Sequence, residues 1–286
     1  MTDFDEQLKA FGERIEKEMV EGRLNFPTVL DLSLRIKTVA DDPDSSLDDI
    51  AAIARAEPVL SAKAVRMANA VLMNPYGAPV TNVGDAVRRI GLDSLRSLAF
   101  AVAAEQVAQD FRSHTLKLIA TGLWMHTVDI ACWANVIARE TRSAHPDAAM
   151  FAGMMVDIGQ FFLLSRATDY PALEHDMDRF AQFVSTWNAP VGRVILEVFG
   201  LPDSILDAYR DTSPEIKAWP PRNLTETLQL ARILTESPNP FENLLGQNAP
   251  NLADAVAASR IDATELQEMV DSVQHSRRQL ISSLCG

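Results

Sequence analysis

The chain has 286 residues, 47% of them hydrophobic, which is too apolar for disorder and long enough for one large or two modest domains around a real core. Its formal net charge of −13 and pI near 4.8 disfavour a sequence-independent grip on nucleic acid or on an anionic membrane, since both need clustered cations. Its two cysteines, Cys132 in an apolar stretch and Cys285 as a frayed terminus, make no disulfide framework, and the acidic start "MTDFDEQLKAFGERIEKE" is no signal peptide. Both features suit a cytoplasmic protein.

Nearly every segment reads as helix, and strand signals are absent. Residues 3 to 21 form a polar amphipathic helix. Pro27 opens the next, with Leu30, Leu34 and Ile36 inward, and "DDPD" ends it. Ser46 and Asp49 make a capping box for "LDDIAAIARA". Glu57–Pro58 stops that helix and starts "PVLSAKAVRMANAVL". "MNPYGAP" is a loop, Thr81 caps "NVGDAVRRI", and Gly91 ends it before the long helix "LDSLRSLAFAVAAEQVAQDF".

"TLKLIATGLWMHTVDIACWANVIARET" is one long buried helix, and Pro146 opens the helix that carries Asp157. The most apolar stretches are interrupted by Asp129, Asn135 or Asp157, so none reaches the roughly 18 unbroken residues of a membrane span. "DYPALEHDMDRFAQFVSTWN", "PVGRVILEVFG" and the short "LPDSILDAYRDTSP" follow. "WPPRN" marks a boundary near residue 220. In the last helix Leu266, Met269, Val270, Val273, Leu280 and Ile281 form one stripe, suited to docking on its own domain.

Of the five histidines, His114, His145, His175 and His275 lie in polar or turn settings, whereas His126 sits mid-helix in "LWMHTVDIACW". It is either a core histidine satisfied by one hydrogen bond or a metal ligand or acid/base group. Asp157, alone in the apolar run "GMMVDIGQFFLL", costs several kcal/mol if ionised and unpaired. A metal, a hydrogen-bond partner, or an arginine such as Arg139 or Arg166 would each relieve it. "VGDAVRRIGLDSLRSLAFAV" has helix–turn–helix spacing, with Arg88, Arg89 and Arg96 as candidate phosphate contacts, against the acidic total.

The order of segments resembles the HDOD domain, a bacterial signalling relative of the HD phosphohydrolases, over about residues 20 to 215. The Pro-Thr opening, "DPDSSLDDIA", "EPVLSAKAVRMANA" and above all "PVTNVGDAVRRIGLDSLRSLA" carry the resemblance. "LWMHTVDIA", "FAGMMVDIGQFFLL" and "PVGRVILEVFGLPDSILDAYRD" continue it. HD proteins hold divalent metals with a histidine, an adjacent His-Asp pair and further His and Asp residues. Carried over, His126 matches the first histidine and Asp157 the aspartate of the pair. Val156 stands where the pair has histidine, and Asn188 replaces a downstream histidine. Asp211 and Thr212 replace later ones, and Gln160 replaces a common lysine.

The resemblance therefore implies an all-α, multi-helix HDOD/HD-like bundle with a vestigial site and no bound metal or other cofactor. It divides into an N-terminal helical subdomain (residues 1–110), a degenerate HD-like core (111–220) and a C-terminal helical extension (221–286). The implied function is a non-catalytic signalling or scaffolding module that contacts another protein, without nucleic acid or membrane, and with homo-oligomerisation open. The alternatives are a metal-dependent phosphohydrolase with a reduced ligand set and a small-molecule, nucleotide-type sensor in the vacated pocket.

Overall fold

The computed structural model describes residues 2–21, 31–70, 73–74, 77–111, 113–198, 201–210, 219–247, 256 and 263–285, and all of the regular structure among them is helical. The N-terminal half contains α1 (Asp3–Val20), α2 (Asp31–Asp41), α3 (Leu47–Arg55), α4 (Pro58–Ala68) and α5 (Val83–Asp110). Then come α6 (His114–Thr141), α7 (Pro146–Met155), α8 (Ile158–Ala167), α9 (Met177–Val198) and α10 (Asp203–Arg210). The chain continues with α11 (Leu224–Leu234), α12 (Pro240–Leu244) and the terminal helix α13 (Ala263–Cys285).

Local chemistry accounts for the element starts. The Ser46–Asp49 capping box is formed, and Pro58 occupies the first turn of α4, where a missing N–H costs nothing. The cap of α5 is Asn82 and not the expected Thr81: its side chain accepts from the Asp85 amide at 2.8 Å. Gly91 does break α5, by adopting φ 77°, a conformation that favours glycine, and the chain resumes helix at once. Pro27 and Leu30 lie outside the described residues, whereas Ile36 is buried as expected. The two predicted segments on either side of Pro190 form the continuous helix α9. Pro190 and Thr186, whose carbonyl loses its partner, are both on the exposed side, where water can take the place of the missing N–H.

Helix α6 is the central element, and every residue from His126 to Ala138 is buried. It packs against α5, α7, α11 and the terminal helix. Gly153 permits the close approach of α7: a Cβ there would lie 2.7 Å from the backbone Cα of Ala131. Gly153→Ala is expected to lower stability by about 1–3 kcal/mol, because an overpacked backbone contact outweighs the gain in helix propensity of ~1 kcal/mol. The urea midpoint would report it, and an unchanged midpoint would refute so close an α6–α7 contact.

By length and composition Pro146–Ala167 could cross a membrane, but 89% of its most apolar window is buried inside the structure. It is also not one helix. Asp157 adopts φ −110° and ψ 22°, and the chain breaks there into α7 and α8. The carboxylate thus sits at a helix junction and not in mid-helix as the sequence suggested.

The terminal helix docks through Leu266, Val273, Leu280 and Leu284, all buried. Two buried cations accompany this stripe. Lys63 of α4 donates to the Leu284 carbonyl and pairs with Glu105 at 3.1 Å. Arg277 of the terminal helix reaches Asp129 of α6 at 2.6 Å, with its guanidinium 4.7 Å from the Trp133 ring. Cys285 is half-buried and not frayed, and burial pushes its thiol up to about 11. Burial likewise raises Cys132 well above the usual range, so neither thiol is a ready nucleophile.

Candidate functional site

His114, His145, His175 and His275 are exposed, and His126 alone among the histidines is buried. Its Nδ1 lies 2.6 Å from the carbonyl oxygen of Ser237, which can only accept, so Nδ1 carries the proton. In the neutral ring Nε2 then presents a lone pair, and it faces Asp157 Oδ2 at 3.5 Å. The helix break between α7 and α8 turns the Asp157 carboxylate toward α6. Asp157 Oδ1 accepts from Gln160 Nε2 at 3.2 Å, whereas Oδ2 has no donor among the described residues.

The two groups are therefore close, with no direct hydrogen bond between Nε2 and Oδ2. Neither candidate arginine takes its place: Arg139 is exposed, and Arg166 donates to Glu18 at 3.2 Å beneath α1. Asp157→Asn is expected to stabilise the fold by about 1 kcal/mol at pH 8, because an amide N–H would meet the Nε2 lone pair. Chemical denaturation checks this. A loss of 1 kcal/mol or so in place of a gain would mean that the ring is an imidazolium and the contact an ion pair.

Asn188 lies in α9, against Gly159 of α8. A Cβ at Gly159 would fall 2.2 Å from the Asn188 carbonyl oxygen and 2.6 Å from its Oδ1, so the glycine is needed for this approach. Asn188 Oδ1 is buried with no donor among the described residues, and its carbonyl accepts from the Tyr209 hydroxyl at 3.1 Å. Burial, with the Asp157 charge adding to it, raises the Tyr209 phenol, which keeps it a neutral donor.

The other wall comes from the segment that joins α11 to α12. Asp129 lies one helical turn beyond His126. Its Oδ2 accepts from Thr235 Oγ1 at 2.9 Å and from the amides of Glu236 and Ser237 at 2.8 and 3.1 Å, and its Oδ1 accepts from Arg277. Asn239 donates to Gln160 Oε1 at 3.1 Å, and its own Oδ1 caps α12 through the Phe241 amide at 2.9 Å. Beside these groups opens a pocket of about 170 Å³, lined among others by Val156, Gln160, Asn188, Tyr209, Arg232 and Glu242. Burial raises the Glu242 carboxyl, with Arg232 at 3.7 Å opposing the shift and the Asp157 charge reinforcing it.

Sequence reasoning singled out His126, Asp157, Val156, Asn188 and Gln160, and the structure gathers them around one cleft. It missed Ser237, Asn239 and the Asp129–Arg277 pair. A signal for the last existed, since Arg277 occupies a core position in the stripe formed by Leu266, Val270, Val273, Leu280 and Leu284. Asp211 and Thr212 lie outside the described residues.

Among the described residues the donor set falls short of a catalytic metal centre: besides His126 and Asp157, only the unpaired Asn188 Oδ1, a weak neutral oxygen ligand, is free to join them. Nε2 of His126 and Oδ2 of Asp157 are spaced so that one ion could bond both at ~2.1 Å, but such a centre needs about three protein ligands besides water. Val156 offers only methyl groups, and both ends of the Gln160 amide are engaged. Among the described residues no three His, Cys, Asp or Glu side chains form a set able to hold an ion.

The family model for the HDOD domain matches residues 26–213. The chain belongs to the HDOD domain family. Solved structures similar to this HDOD chain extend the likeness beyond that region. A provisionally assigned metal-dependent phosphohydrolase from Shewanella amazonensis SB2B shares 19% identity at a TM-score of 0.69, over 97% of this chain and 99% of that one. An HDOD domain protein of unknown function from Geobacter sulfurreducens shares 21% identity at a TM-score of 0.56, over 94% and 99%. A provisionally assigned signal transduction protein from Marinobacter aquaeolei VT8 shares 18% at 0.58, over 99% of this chain and 66% of that one. These likenesses establish the fold. The comparison with curated protein sequences gives no match.

Proposed function

We propose that this HDOD protein is a non-catalytic, cytoplasmic signalling or scaffolding module that works by binding another protein. Val156 carries the reading. A hydrolytic centre must acidify a water on a metal held by about three ligands. Here the residue beside Asp157 is a hydrocarbon wall. The likeness to a protein named for signal transduction supports the context. A protein partner is favoured over nucleic acid because two of the candidate arginines, Arg89 and Arg96, are tied into the fold and the exposed Arg88 is offset by two carboxylates. Arg88 pairs with Asp48 and Asp85, Arg89 donates to the carbonyls of Ala68 and Ala78, and Arg96 lies over the Phe151 ring.

Metal analysis of protein purified without chelator, followed by an assay with Mn²⁺ and a generic phosphodiester, tests the reading. Substoichiometric metal and no turnover are expected. Stoichiometric metal with turnover abolished by Asp157→Ala would overturn it. The polar pocket beside Gln160 supports a second reading, a small-molecule sensor. A thermal-shift screen with nucleotides separates the two, because a ligand that binds only the folded state raises the melting temperature.

A further inference from the structure

The segment from Thr235 to Glu242 crosses the His126–Asp157 cleft and is fastened at both ends by polar contacts. At the first end, one oxygen of Asp129 holds Thr235, Glu236 and Ser237. At the other, Asn239 bonds to Gln160, which bonds to Asp157. Between the ends the Ser237 carbonyl fixes the His126 ring. Glu236 and Pro238 face solvent while Asn239 is buried, so the segment has an outer side in water and an inner side on the cleft. Beneath it His126 and Asp157 are only 5% and 1% exposed.

The first fastening depends on another part of the chain. The Asp129 charge is compensated by Arg277, whose Nε and Nη2 donate to Oδ1 at 2.8 and 2.6 Å. The terminal helix also touches the segment directly, since Arg277 Nη1 and Gln274 Nε2 both reach Glu236 Oε1 at 3.2 Å. A helix that contributes both the counter-charge and the direct ties has differential contact with the seated and unseated segment, which is the requirement for coupling two positions.

We propose that residues 235–242 are a strap over the cleft and that the terminal helix, acting through Arg277, sets whether the strap is seated. Displacing the terminal helix unseats the strap, frees the His126 ring from Ser237 and opens the cleft to solvent. Asp129 and Arg277 are positioning residues in this device.

The test uses the full-length chain with Arg277→Met, read by amide hydrogen exchange and by the ¹⁵N shifts of the His126 ring. Exchange at the Glu236 and Ser237 amides is expected to rise about tenfold or more beyond any rise at the amides of α7, which report the global stability lost with the buried pair. The ring is expected to move from the Nδ1–H form toward a mixture of tautomers. Unchanged exchange at 236 and 237, a uniform rise that includes α7, or an unaltered ring signature would each overturn the proposal. If Arg277→Met does not fold, Glu236→Ala with Gln274→Ala removes the direct ties and leaves the buried pair. It should give a smaller rise confined to the strap, and its absence in a folded variant would equally overturn the proposal.

Discussion

Asp129→Ala is expected to cost about 3–5 kcal/mol, the scale for removing one partner of a buried ion pair. The reason is what the substitution leaves behind. Arg277, 4% exposed, loses its counter-charge in the apolar interior, and the donors of Thr235, Glu236 and Ser237 lose their common acceptor. Urea denaturation followed by circular dichroism measures it. A double variant, Asp129→Leu with Arg277→Met, sharpens the result, since replacing a buried pair by apolar residues is often neutral. Here it should recover only part of the loss, because the strap donors remain unpaired at about 1–3 kcal/mol for each one left buried. Full recovery would show that those donors find water and that Asp129 serves Arg277 alone.

The second large effect is a gain. Val156→His with Asn188→His is expected to tighten Zn²⁺ or Mn²⁺ binding about 100-fold, or ~2.8 kcal/mol, by isothermal titration calorimetry. His126 Nε2 and Asp157 Oδ2 already face each other at 3.5 Å without a bond, so both donors are available. What the cleft lacks is nitrogen at positions 156 and 188, which line the same pocket. The imidazole at 188 must swing into that pocket, because Gly159 leaves no room on its other side. No gain in affinity would mean that the old ligand positions lie elsewhere in the chain.

Much of the fold was legible because helix chemistry is local. The Ser46–Asp49 box, the Pro58 and Pro146 starts and the apolar stripe of the terminal helix depend on residues within a few positions of one another. The break at Asp157 was not legible: its immediate neighbours Val156 and Ile158 are apolar and no proline lies near it, so nothing local announces the turn that brings the carboxylate to face α6. The site was half legible for the same reason. His126 and Asp157 stand out as polar groups in hydrocarbon, but their real hydrogen-bond partners, Ser237 and Gln160, differ in kind. Gln160 is a turn away on the same helix, whereas Ser237 is 111 positions distant in a segment that reads as an ordinary loop. Asp129 and Arg277, 148 positions apart, could be matched only by noticing that each occupies an inward register where hydrophobic neighbours surround it.

That separation bears on how the chain is made. While it is being synthesised, Asp129 has no counter-ion until residue 277 has left the ribosome, and Lys63 waits for a carbonyl 221 positions later. The centre of α6 therefore cannot dehydrate fully as it emerges and must hold water around a carboxylate until residue 277 is available. A nascent chain arrested before residue 277 would carry an uncompensated carboxylate in its central helix and would be a natural client for chaperones.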